Sequence, residues 1–279
     1  MIQTIKFKCE TITPMFIAGA DGKTPELRAP SIKGALRFWW RALNANLVEN
    51  EDYSKLRKQE SEIFGGTDNS GRSKVIISVV NQPLDTYKAS PTPHNPRFSK
   101  DAFVIGSRFE MTINVIENNV MTAEQVKSLF ILISLLGGIG NRSRRGFGSF
   151  KITEIDGEVF SQPNDVESIE SIIMAINPSY PFVNNRANYP FVKLIEIGLA
   201  DDNITRKIGN ATHNVKKDSG WKYGNAMGDA RNRFSSPIYV SAIKKDDGKL
   251  YPIITTLNTV PSNGRGDESI QQTFKKKLL

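Results

Sequence analysis

Polar and apolar residues alternate near the start of the chain: Ile5, Phe7 and Cys9 fall on one side and Lys6, Lys8 and Glu10 on the other. That period of two predicts a half-buried strand, ended by Thr13-Pro14. A loop rich in turn residues (Gly19, Asp21-Gly22, Pro25, Pro30) leads to Ser31, a suitable N-cap, and a helical stretch through Leu47. A second amphipathic piece, Tyr53 to Phe64, stops at Gly65-Gly66, and the β-branched run Ser73 to Val80 suits a buried strand. Four prolines between Asn81 and Asp101, with Lys88, His94, Arg97 and Lys100 among them, predict a mobile basic loop without regular structure. Phe109, Met111, Ile113 and Val115 then alternate with Arg108, Glu110, Thr112 and Asn114 as a further strand. Thr122 and Gln125 make a capping-box signature ahead of Val126, Leu129, Phe130, Ile133 and Leu136, the apolar stripe of a long helix ending at Gly137-Gly138. A closing strand, Ser149 to Ile155, completes the order βαββαβ, the α+β ferredoxin-like arrangement with both helices on one face of an antiparallel sheet.

The second half carries weaker signals. Asn164 to Ile176 predicts a helix stopped by Pro178, Tyr189 to Leu199 a strand, and Ile238 to Leu257 a hairpin turning at Asp247-Gly248. Ile270 and Phe274, at i and i+4, make the tail a short helix with lysines at its C-terminal end. These elements predict a second, incomplete βαββα unit, with residues 1–155 as the first ferredoxin-like domain and 156–279 as the second.

Helix periodicity also sorts charge. On the first helix Ile32, Leu36, Trp39, Leu43 and Leu47 share one side, while Lys33, Arg37, Arg41 and Asn44 form a stripe on the other, with Trp40 on the border. A solvated helix face would look the same. A second basic constellation spans 137–150, GGIGNRSRRGFGSF. No acidic residue lies between Glu124 and Glu154, whereas Lys127, Arg142, Arg144, Arg145 and Lys151 do. Glycines let backbone N–H groups approach a ligand, and arginines offer forked donors matched to phosphate oxygens, so Gly140, Asn141, Arg142, Arg144, Arg145 and Gly146 are candidate phosphate contacts. A helix cap and turn would explain Gly137 and Gly138, but not three arginines in four positions. The order helix, loop, strand excludes a Walker loop and a dinucleotide fingerprint, and RGFGSFKI follows the second helix where an RNP1 segment would precede it.

Composition sharpens this. Across 279 residues, 37 Lys plus Arg against 29 Asp plus Glu give +8, favouring a polyanionic partner. One cysteine excludes an internal disulfide, and two histidines far apart in sequence argue against a zinc site, so no metal or cofactor is expected. No apolar run approaches the ~20 residues of a bilayer span, and the first residues lack the apolar core of a signal peptide, so a cytoplasmic location and no membrane partner are expected.

The strings at 14–43 (PMFIAGADGKTPELRAPSIKGALRFWWRAL), 61–67 (SEIFGGT), 137–150 and 233–240 (RFSSPIYV) resemble the RAMP superfamily of CRISPR-associated proteins. Within it they are similar to the first-subunit family of the type III-B (Cmr) effector complexes. The resemblance implies tandem ferredoxin-like domains of the RAMP fold. It also implies an RNA-binding, non-catalytic subunit whose partners are CRISPR guide RNA near its 3′ end, single-stranded target RNA and other Cmr subunits. Carried over by position, Lys33, Arg37, Arg41, Arg142, Arg144 and Arg145 are the matching basic residues, with Trp40 and Phe147 the only stacking candidates beside them. Some RAMP relatives cleave RNA with histidine-assisted proton transfer. His94 and His213 lie outside the matched motifs, so an endoribonuclease and a plain interaction scaffold stand as the alternatives.

Overall fold

The structure, a computed structural model, describes residues 2–67, 71–80, 84–181, 188–229, 231–261 and 267–279. In chain order the first half comprises β1 (Ile2–Thr11), α1 (Ala29–Ala42), α2 (Ser54–Phe64), β2 (Val75–Val79), β3 (Thr86–Ala89), β4 (Lys100–Phe103), β5 (Arg108–Ile116), α3 (Ala123–Leu136), β6 (Phe150–Ile155) and β7 (Glu158–Val159). The second half follows with α4 (Val166–Ile176), β8 (Val192–Ile197), α5 (Ile204–Ser219), α6 (Lys222–Met227), β9 (Ile238–Lys244), β10 (Leu250–Leu257) and α7 (Glu268–Lys276).

The first sheet runs β2-β5-β1-β6-β7, and its first four strands have the ferredoxin-like order. The alternation read from sequence sets the register: Phe7 pairs with Met111 and Cys9 with Phe109, so their side chains share the buried face. Thr122 and Gln125 close the expected capping box on α3. The proline-rich segment departs from expectation, because β3 and β4 pair as an antiparallel hairpin inserted between β2 and β5. Its prolines that are described, Pro91, Pro93 and Pro96, sit in the connection between those strands, where no ladder N–H is needed.

The second sheet is β8-β10-β9, and with α5 and α7 it gives the incomplete βαββα order. Both faces of this sheet are covered. Tyr239, Ile243, Ile253 and Leu257 join the core of the first half around Phe7, Trp39 and Phe130, which also includes Ile169 and Ile173 of α4. Ile238, Val240, Ala242 and Ile254 pack instead with Ile204, Ile208, Val215 and Phe274 of α5 and α7. This two-sided burial explains why β9 reads as an unbroken buried run from Ile238 to Ile243 rather than an alternation. Helix α3 lies between the sheets and is buried along nearly all its length, which the single stripe predicted for it understates.

Candidate nucleic-acid interface

Helix α1 buries Ile32, Leu36 and Trp39 as its periodicity requires. Trp40 departs from the reading: it is 3% exposed and meets Phe64 edge-on at 6.5 Å, because α2 packs along the flank the wheel left open. It cannot stack on a base without unpacking that flank. Phe147 is equally buried, against Phe16 at 5.2 Å.

The stripe below Trp40 is only partly free. Arg37 donates from Nε to Oε1 of Glu60 at 2.7 Å and from Nη1 to the Gly65 carbonyl at 3.3 Å, and Arg41 donates to the same Glu60 oxygen. Glu60 is buried on α2, so two cations share one sequestered carboxylate. About a third of each arginine side chain remains in solvent (35% and 28%), and a guanidinium has five N–H donors, more than Glu60 alone can take. Arg37 and Glu60 line a polar cavity of about 460 Å³ with Arg57, Gly66 and Thr67, bringing part of the SEIFGGT string beside the helix-one stripe. Lys33, one turn before Arg37, is half-buried; burial first and Arg37 second lower its pKa. Asn44 turns its amide to the Trp40 carbonyl, 2.7 Å away.

The glycine-rich loop divides the same way. Gly140 has φ +97°, and a Cβ there would lie 2.3 Å from the Phe16 carbonyl oxygen, so the loop passes against the β1–α1 connection with no room for a side chain. The N–H groups of Asn141 and Gly146, candidates for phosphate, are already donated to the carbonyls of Phe16 and Val240 at 2.7 Å. Arg144 stacks on Phe38 of α1 and Tyr239 of β9, 5.0 and 5.2 Å from their ring centres, and donates to the Ser236 carbonyl at 2.7 Å. Burial lowers its pKa. Arg145 donates to the carbonyls of Arg144 at 2.9 Å, Ile238 at 3.1 Å and Met227 at 3.3 Å. Residues 144–146 thus lie along β9 in a parallel bridge and fasten the first half to the second. Of the three loop arginines, Arg142 alone is an exposed residue, held at φ +62°.

Two features escaped the sequence reading. Helix α5 displays Arg206, Asn210, His213 and Lys217 in solvent above buried Ile204, Ile208, Ala211 and Val215. Its 3.6-residue period was there to be found, but small Gly209 and Ala211 on the inner face weaken the apolar signal. The second is the pairing of the two histidines, whose ring centres are 5.6 Å apart. The sequence separates them, and only the docking of the β3–β4 connection on α5 joins them. Among the described residues no group of three or more His, Cys, Asp or Glu could hold a metal ion, and no helix is long and apolar enough to cross a membrane.

Residues 8–151 match the family model of the RAMP superfamily. The curated relatives include the CRISPR system Cmr subunits Cmr1-1 and Cmr1-2 of Pyrococcus furiosus. The chain is 36% identical to Cmr1-1 over 176 residues, 55% of this chain and 49% of that one; it is 30% identical to Cmr1-2 over 180 residues, 52% and 93%. The matched part thus spans about half the length of Cmr1-1. Among solved structures, apo Cmr1 from Pyrococcus furiosus superposes with a TM-score of 0.70 at 21% identity, covering 99% of this chain and 97% of that one. A chain of the type III-B Cmr-beta complex bound to cognate target RNA and AMPPnP superposes at 0.65 with 13% identity, covering 98% of each.

Proposed function

Because the chain belongs to the RAMP superfamily, we propose that it is a subunit of a type III-B CRISPR (Cmr) effector complex that binds RNA without cutting it. Its partners in this reading are the guide RNA, single-stranded target RNA and neighbouring Cmr subunits. The observation that carries it is the 36% identity to a Cmr1 subunit over more than half the chain. The basic surface supports it: Lys33 and the partly exposed Arg37 and Arg41 lie along α1, Arg142 is exposed on the glycine-rich loop, and Arg144 bridges the two by stacking on Phe38. Arginine and lysine read phosphate geometry rather than base identity, so affinity should vary little with sequence among unstructured RNAs.

The histidine pair is the one observation that favours an endoribonuclease. In-line cleavage needs a base at the 2′-hydroxyl and an acid at the leaving 5′-oxygen, on opposite sides of the phosphorus. Rings in contact at 5.6 Å leave no slot for a phosphodiester between them, which supports binding over catalysis. The test combines a salt titration of single-stranded RNA affinity with incubation of labelled RNA in Mg²⁺ and in EDTA. A linear fall of log K with log salt and intact RNA are expected. Affinity independent of salt would favour the scaffold, and cleavage lost on His94→Ala or His213→Ala would favour the nuclease.

A further inference from the structure

The two histidines are the only ones in the chain, and their sequence separation hides a shared location with Arg142. His94 comes from the β3–β4 connection and His213 from the exposed face of α5; the ring planes meet at 46°. The His94 ring is pressed onto α5 at Gly209, where a Cβ would stand 2.4 Å from Nδ1. That nitrogen is buried without a hydrogen-bond partner, while the residue as a whole is partly exposed. Burial first, then His213, then Arg142 lower the His94 pKa. Three segments distant in sequence thus converge with three side chains that are or can become cationic. Among the described residues none of the three is in an ion pair with a carboxylate.

We propose that Arg142, His94 and His213 form a phosphate-binding site that takes one phosphodiester of a single-stranded RNA. The site carries the RNA path from the glycine-rich loop onto the outer face of α5. This rests on the RNA-binding reading above. An oxyanion supplies the missing counter-charge, accepting a forked pair of N–H bonds from the guanidinium and one from each accessible imidazole nitrogen. A metal ion is the poorer occupant, because the guanidinium would repel it. Beyond the site, Arg206 and Lys217 continue the basic surface along α5. The charged or titratable groups facing the pair are few. His94 sees His213 from α5 and Arg142 from the loop, while Arg142 in turn interacts electrostatically with Arg145 and with Tyr223 of α6. A bound phosphate favours the charged imidazole, so it should oppose the lowering of the His94 pKa.

With only two histidines, ring resonances of the labelled full chain report on this site without ambiguity. Inorganic phosphate and a short oligouridylate are the probes, and both are expected to move the two sets of ring signals. Arg142→Asn removes the guanidinium while keeping a residue that tolerates the left-handed backbone. It should abolish the response to phosphate and weaken RNA binding about three- to tenfold. His213→Gln, at an exposed position, should weaken RNA binding by a similar factor. Ring signals that stay put while RNA binds in a salt-dependent way would overturn the site and leave the RNA reading standing. Rings that answer phosphate while no RNA binds at any salt would overturn RNA as the source of the anion.

Discussion

Arg145 separates two roles that an arginine in a glycine-rich loop can play. As a phosphate contact, its loss should leave stability alone and flatten the dependence of log K on log salt by about 0.7, the value for one contact to a single strand. The structure gives it other work: its guanidinium donates to the carbonyls of Ile238 at 3.1 Å and Met227 at 3.3 Å, both in the second half, and lies 5.9 Å from the centre of the Phe274 ring. Hydrogen bonds from a charged donor contribute about 1.5–3 kcal/mol each, and water would replace part of that at a half-buried side chain. Arg145→Ala should therefore cost about 2–4 kcal/mol, with the stacking on Phe274 adding about 0.5–1 kcal/mol. Urea unfolding followed by tryptophan fluorescence reads the stability, and RNA titrations at several salt concentrations, in conditions where the variant is folded, read the slope. A lower urea midpoint with an unchanged slope is expected. An unchanged midpoint with a slope smaller by one contact would show that Arg145 faces the nucleic acid and that the clamp is misassigned.

Gly148→Ala should destabilise by more than about 3 kcal/mol, since φ is +68° and the new Cβ would lie 2.0 Å from the Ile139 carbonyl oxygen; Gly22→Ala, at φ +69° in open space, should cost only about 1–2 kcal/mol, both measured by thermal or urea unfolding. Glu60→Gln should cost about 1–3 kcal/mol, because it leaves Arg37 and Arg41 facing each other without their shared counter-ion while both remain partly hydrated; a variant as stable as the parent by urea unfolding would contradict this. Burial pushes the Cys9 thiol pKa well up, so the folded chain holds it neutral. Its contribution to stability is then fully present below the ordinary thiol range and lost as pH rises from there towards the raised folded value, and thiol-reagent labelling at pH 8 should proceed only as fast as the core opens. Residues 1–155 expressed alone should bind a hydrophobic dye and unfold without a sharp transition, because the face of α3 covered by α4, β9 and β10 would be bare; sharp cooperative unfolding would establish the first half as self-sufficient.

The strands and helices that cover one core face were legible because burial on one side leaves a periodic trace. β1 and β5 carried it in full, whereas α3 and β9, covered on more than one side, carried it only in part. Helix α5 carried it only weakly, since Gly209 and Ala211 put little apolar mass on its inner face, and the β3–β4 hairpin was hidden behind prolines that fall in its connection. The candidate interface was legible as a location more than as a set of roles. Arg142 and Arg145 stand three positions apart in the same loop, yet one is exposed at a left-handed bend and the other is spent on backbone carbonyls of the distant hairpin. Sequence spacing cannot tell these apart, because the acceptors that claim Arg144 and Arg145 lie about 90 residues away. Glu60 is the same case in reverse: a carboxylate in an ordinary amphipathic helix became the counter-ion of α1 only through the packing of α2.

The bridge between residues 144–146 and β9 also bears on the order in which the protein is made. The glycine-rich loop leaves the ribosome some 90 residues before its partners at Ser236, Ile238 and Val240, so for that interval its carbonyl acceptors do not yet exist. A pairing this long-range forms late, after the entropy of closing the intervening chain has been met. A nascent or truncated chain would therefore present its arginines on an unfixed loop, and the arrangement that leaves Arg142 alone pointing outward is assembled only once the final hairpin is in place.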